Sequence, residues 1–235
     1  MTTASFNSAA SPLTVFPPAV LLGAELLAIA GSDNPDLAKM KALIKEGADI
    51  ETPTAKGATP LIAAAGKRNV AALELLAQNG ANLYAKTSEG VSAMFYGLAH
   101  YRLDIVKTLL DHGLDPERDT LKGGLTALMW AANLGKQDLA DEIASRGGDV
   151  YRKHAETGET ALDYASQKPH IVKSLQAIAA RTAAEKLQQQ RDAEARAAQA
   201  VVNAEKARLD TICKAGLPTA KGVKRLKPVT FKKRP

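Results

Sequence analysis

The chain has 235 residues, 46% of them apolar but only 4% aromatic, with one cysteine and a net charge of +6. A lone Cys213 excludes an intramolecular disulfide framework and suits a reducing compartment, where it reads as a small helical residue or a redox thiol. The charge is uneven: after Asp210 no acidic residue occurs, while Lys214, Lys221, Lys224, Arg225, Lys227, Lys232, Lys233 and Arg234 add +8, so the rest sums to −2 and a basic total is no argument that the body of the chain binds nucleic acid.

Residues 1–20 are rich in Ser, Thr, Ala and Pro and are expected to be extended or disordered. No basic residue precedes Lys39, so the positive n-region of a secretory signal is missing. The most apolar stretch, residues 19–30, is interrupted by Glu25 and is too short to span a bilayer, so the chain is expected to be soluble and cytoplasmic.

From there the sequence repeats itself. Gly47, Gly80, Gly113 and Gly147 stand 33, 33 and 34 residues apart, each closing an apolar helical run, and each is followed two positions later by Asp49, Asn82, Asp115 or Asp149. In phase with them, Thr59, Ser92, Thr126 and Thr160 open the segments TPLIAAA, SAMFYGLA, TALMWAA and TALDYAS. Pro60 fits the first turn of a helix, where its missing N–H is harmless, and Gly80 fits the left-handed position after one. Leu61, Ala64 and Ala65, then Val70, Leu73, Leu75 and Leu76, give one unit two apolar helical faces, and the following units repeat the pattern. Low aromatic and high alanine content suits short helices lying close together. An earlier, degenerate unit aligns Leu26, Leu27 and Ile29 with Leu61, Ile62 and Ala64, 35 residues on, as expected where one side of a stack meets water. A fifth unit begins at Thr160 but has Lys168-Pro169 between its helices and no closing glycine.

A 33-residue period opening on T-P-L-x-x-A resembles the ankyrin repeat. The resemblance covers residues 22–178 and implies an all-α solenoid of five stacked helix-turn-helix units, with the turn-rich segments 52–58, 85–91, 116–125 and 151–159 as projecting fingers. It further implies protein–protein binding through a concave face of finger tips and first helices, with no catalytic chemistry and no cofactor. The chain departs from the family's T-P-L-H at the His slot, which holds Ile62, Phe95, Met129 and Asp163. The turns are therefore expected to rely on packing and on the hydroxyls of Thr59, Thr126 and Thr160.

One position on the first helices carries Ala63, Tyr96, Trp130 and Tyr164. In the family's stack this position looks into the concave face, so three aromatics form a candidate partner-binding ladder, interface hot spots being enriched in Trp and Tyr. The alternative is that these rings cover gaps between neighbouring helices. Finger residues Lys56, Lys86, Lys122, Arg152 and Lys153, with Glu89, Arg118, His154 and Glu156, form a candidate rim for an acidic partner, or an ordinary solvated surface. The four histidines fall at unrelated repeat positions, and none stands in H-E-x-x-H or at metal-ligand spacing with a cysteine. G-x-S-x-G and phosphate-binding loops are missing too, so neither catalysis nor a metal is expected.

Residues 169–214 contain nothing that breaks a helix, and Gly216 and Pro218 supply the stop. This long Ala- and charge-rich helix, taken as 179–216 beyond an array of 21–178, reads as a solvated spacer, a weakly self-associating helix or a cap folded back, since large apolar residues are too sparse for a strong heptad seam. Residues 217–235 form a basic tail. Its Lys221, Lys224, Arg225, Lys227, Lys232, Lys233 and Arg234 could tether nucleic acid or an anionic membrane, or act as an address resembling that of bacterial ankyrin effectors secreted into a host cell, or simply aid solubility.

Overall fold

Pairs of short helices follow one another along the chain in the computed structural model, which describes residues 18–214. The first pair is α1 (Pro18–Ala30) and α2 (Leu37–Lys45), followed by α3 (Pro60–Gly66) with α4 (Val70–Gln78) and α5 (Ala93–Ala99) with α6 (Leu103–Asp111). Next come α7 (Ala127–Leu134) with α8 (Gln137–Ser145), and α9 (Ala161–Tyr164) with the beginning of α10 (Pro169–Lys214). First helices pack on first helices in chain order from α1 to α9, and α2, α4, α6 and α8 form a second layer in the same order. The result is an all-α stack of repeats followed by a long C-terminal helix.

Threonine side chains start the first helices. The hydroxyls of Thr59, Thr126 and Thr160 accept from the backbone N–H of Ile62, Met129 and Asp163 at 3.5, 3.2 and 3.4 Å. Asp163, one of the residues in the family's His slot, returns the contact by accepting from the Thr160 N–H at 2.8 Å, which completes a capping box. Second helices are started by Asp36 and Asn69, each accepting at 3.0 Å from the N–H three residues on. At the far end of α4, Gly80 adopts φ +84°, and the Ala81 N–H reaches back to the Leu76 carbonyl.

The core runs between the two layers: Leu26 and Met40 in the first unit, Leu61, Leu73 and Leu76 in the second, Met94, Leu98, Ile105 and Leu109 in the third, Leu128, Met129 and Ile143 in the fourth, Ile171 and Leu175 in the fifth, all essentially without solvent exposure. Each such side chain contributes roughly 1.5–3 kcal/mol on burial, against about 0–1 kcal/mol for an exposed ion pair. Apolar stacking is therefore what holds units together, and polar contacts set their register.

Those polar contacts recur with the repeat. Asp49, Asn82, Asp115 and Asp149 each turn the chain by accepting from the N–H two residues on, at 2.9–3.0 Å. The residue so placed then reaches the next unit. Glu51 accepts from the Asn82 N–H at 2.7 Å, the Tyr84 hydroxyl from the Asp115 N–H at 2.9 Å, and Glu117 from the Asp149 N–H at 2.9 Å. Along the second helices, Asp111–Arg146 at 2.6 Å, Lys107–Glu142 at 3.7 Å and Asp141–Ser174 at 2.7 Å continue the stitching.

The chain divides into two compact units at Thr182. The part of α10 beyond it is exposed at every residue whose burial is described, including Leu187, Val201, Val202 and Leu209, and is supported by i,i+4 hydrogen bonds Gln188–Asp192 and Gln199–Asn203. No helix among the described residues is long and apolar enough to cross a membrane.

Glu117→Ala removes the acceptor for the Asp149 N–H and for Arg152 together. Urea unfolding should show a loss of roughly 1–3 kcal/mol, with Glu117→Gln recovering part of it. An unchanged midpoint would mean that the relay carries no stability.

Candidate functional site

Tyr96 on α5, Trp130 on α7 and Tyr164 at the end of α9 are all half-buried and all lean toward the preceding unit. A Cβ added at Gly66 would meet the Tyr96 ring at 3.8 Å, so Tyr96 lies over the end of α3. Trp130 meets Phe95 edge-on, with centroids 6.0 Å apart and planes at 90°. Tyr164 meets the buried His154 of the preceding finger at 6.4 Å and 76°. Each ring thus packs on its neighbour and keeps part of its surface open. The indole Nε1 of Trp130 is buried and has no hydrogen-bond partner among the described residues.

The finger cations divide into two groups. Lys86 and Arg152 turn along the stack. The Lys86 ammonium donates to the Thr120 carbonyl and lies 3.8 Å from Asp119, and the Arg152 guanidinium donates to the Glu117 carbonyl at 2.6 Å and carboxylate at 2.9 Å. Arg118 lies 4.8 Å over the Tyr84 ring. Lys56 and Lys153 point outward and are exposed, as are Glu89 and Glu156. Lys122 opens a short 3₁₀ turn, Lys122–Gly124. The tail cations Lys221, Lys224, Arg225, Lys227, Lys232, Lys233 and Arg234 lie outside the described residues.

Between two fingers sits a feature the sequence did not announce. Asp119 is fully buried; the Ser92 hydroxyl donates to its Oδ2 at 2.5 Å, while Oδ1 has no hydrogen bond. The fingers on either side are pinched by antiparallel bridges, Lys86 with Ser92 and Thr120 with Thr126. Ser92 occupies the capping position of α5 but makes no cap bond. The replacement of threonine by serine in this one unit was the available signal. Burial raises the Asp119 carboxyl from its ordinary value, against the opposing pull of Ser92 and Lys86.

On the side of the second helices, a shallow groove of about 370 Å³ is lined by Leu103, Asp138, Ser145 and Ile178 among others. Two of its carboxylates are already engaged, Asp141 by Ser174 and Glu142 by Lys107 and Arg146. No group of three His, Cys, Asp or Glu side chains suited to a metal ion occurs among the described residues.

The sign of the Asp119 effect follows from linkage. A carboxyl whose folded value is raised binds its proton more tightly when folded, so its contribution is present at low pH and lost as pH rises from the ordinary aspartate value through the folded one. Asp33, Asp104 and Asp163 are lowered by Lys67, Arg102 and Thr160 respectively and act in the opposite sense. Stability measured against pH should therefore rise more steeply from acid to neutral in Asp119→Asn than in wild type. Lys86→Met, which leaves the buried carboxylate without its cation, should cost roughly 1–3 kcal/mol at neutral pH; parallel pH curves would contradict the assignment.

Residues 26–120 match a protein family described as Ankyrin repeats (3 copies). No curated protein matches the chain.

Proposed function

Taking as premise that this is an ankyrin-repeat protein, a class of module that mediates protein–protein interaction and is typically non-enzymatic, we propose that it binds a protein partner through the face made of first helices and finger tips. The observation that carries this reading is the register of Tyr96, Trp130 and Tyr164, three half-buried aromatics at one repeat position of three successive units. Rings already seated on Gly66, Phe95 and His154 are pre-organised, so little side-chain entropy remains to be lost on binding. The outward-facing Lys56 and Lys153 would tune association rate and partner choice more than affinity.

Affinity capture from a nuclease-treated lysate, comparing wild type with Tyr96→Ala plus Trp130→Ala, tests the reading. The double variant should lose a partner that wild type retains at moderate salt, with helical circular dichroism preserved at the assay temperature. Retention of the same partner would remove the aromatic series from the interface.

A second reading rests on the run of cations after Asp210 with no acidic residue among them. Residues 214–235 would then tether nucleic acid or an anionic membrane by charge, and such binding would collapse between low and moderate salt, whereas aromatic contacts would persist.

A further inference from the structure

The turns that join the two helices of each unit follow the C-terminal ends of the first helices, α3 ending at Gly66, α5 at Ala99, α7 at Leu134 and α9 at Tyr164. In units two to five these turns carry Lys67, Arg68, Arg102, Lys136 and Lys168, and no carboxylate. Acids adjoining these turns include Asp33 in the first unit and Asp104 and Asp138 in the first turns of α6 and α8. Lys67 is paired with Asp33 at 2.8 Å and Arg102 with Asp104. The other three cations make no ion pair among the described residues. Two of them are held in place by neutral groups: the Lys136 ammonium lies 4.4 Å over the Tyr101 ring, and Lys168 crosses Gly135 to donate to the Asn133 carbonyl at 3.0 Å. These contacts orient both side chains without pairing them to a carboxylate.

Backbone conformation singles out the same edge. Arg68 and Tyr101 have φ of +60° and +55°, in the left-handed region that glycine occupies without strain, and the in-phase residue of the next unit is Gly135 at +74°. At Gly135 the aliphatic stem of Lys168 lies across the backbone, its Cε 2.8 Å from where a Cβ would stand. Arg68 and Tyr101 keep long side chains in a strained conformation. Both are exposed, and Arg68 has no partner among the described residues. Strain retained at such positions points to a use for the side chain.

We propose that this turn edge is a docking strip for an acidic segment of a protein partner. Helices of adjacent units stack about 8–10 Å apart, which spaces the cations in single file. Carboxylates at every third residue of a polyproline II segment lie on one face roughly 9 Å apart, which matches that spacing. A short acidic segment fits better than an extended polyanion, because residues 18–182 hold 18 cations against 20 carboxylates and so carry no net positive charge outside such local strips. The inference is independent of the aromatic face.

The test uses the full chain and amide NMR at about 0.15 M salt, titrated with a proline-rich synthetic peptide of about 15 residues carrying Glu at every third position, so that its carboxylates share one face of a polyproline II helix. Shifts should cluster at residues 67–69, 100–102, 135–137 and 168. Arg68→Glu, which removes no side-chain hydrogen bond or ion pair among the described residues, should weaken binding several-fold, and Arg68→Glu with Lys136→Glu about tenfold, without change in helicity. Shifts confined to other residues, or equal affinity in Arg68→Glu, would overturn the proposal. Parallel titrations use phosphatidylserine vesicles and an oligothymidine strand; perturbation of the edge by either of these but not by the peptide would also overturn it, in favour of a phosphate-bearing ligand. Loss of peptide binding on Arg68→Glu and loss of partner capture on Tyr96→Ala with Trp130→Ala are separate readouts, so one assignment can fail while the other stands.

Discussion

Nearest-neighbour stacking is the constraint from which the rest follows. A pair of helices seven to nine residues long cannot cover its own apolar faces, so Leu61, Leu73 and Leu76 are buried only because units lie on both sides of them. Apolar contact is non-directional and would tolerate sliding. Register comes from the hydrogen-bond relay, in which an aspartate or asparagine turns the chain and the residue two places on takes a backbone N–H of the next unit. Packing supplies the energy and the relay supplies the alignment, and a surface assembled from several units depends on both.

Alignment turns isolated side chains into surfaces. Tyr96, Trp130 and Tyr164 are far apart in sequence, yet the relay fixes their spacing to that of the helices beneath them. The same holds at the turns joining the two helices of each unit, where Lys136 lies over Tyr101 and Lys168 over Gly135. Fingers are joined to one another through Lys86, Arg118 and Arg152, so they move with the stack instead of as independent loops.

Much of the fold was legible in the sequence because its determinants are local and periodic. The threonines opening α3, α7 and α9, the closing glycines and the apolar spacing all act within a few residues of their positions, and the structure shows the hydroxyl caps that compensate for the residues in the His slot. What was not legible is the destination of long polar side chains. Nothing local distinguishes Lys56, which faces solvent, from Lys86, which reaches a carbonyl 34 residues away. The aspartates after the closing glycines were visible as a series, but their role as turn-makers for a relay lies in contacts between units. Asp119 belongs to the same class: its burial is decided by two neighbouring fingers and not by its own surroundings in sequence.

Trp130 gives the junction between the third and fourth units an optical signature. It is the single tryptophan of the chain, its ring rests on Phe95 of the preceding unit, and its indole nitrogen is shielded from water. Emission excited at the indole band therefore originates from one interface in the interior of the stack. Separation of those two units would hydrate the nitrogen and shift the emission to the red, while fraying confined to α1 and α2 would leave the colour unchanged. The chain thus carries its own chromophore for distinguishing unravelling from the end from splitting in the middle.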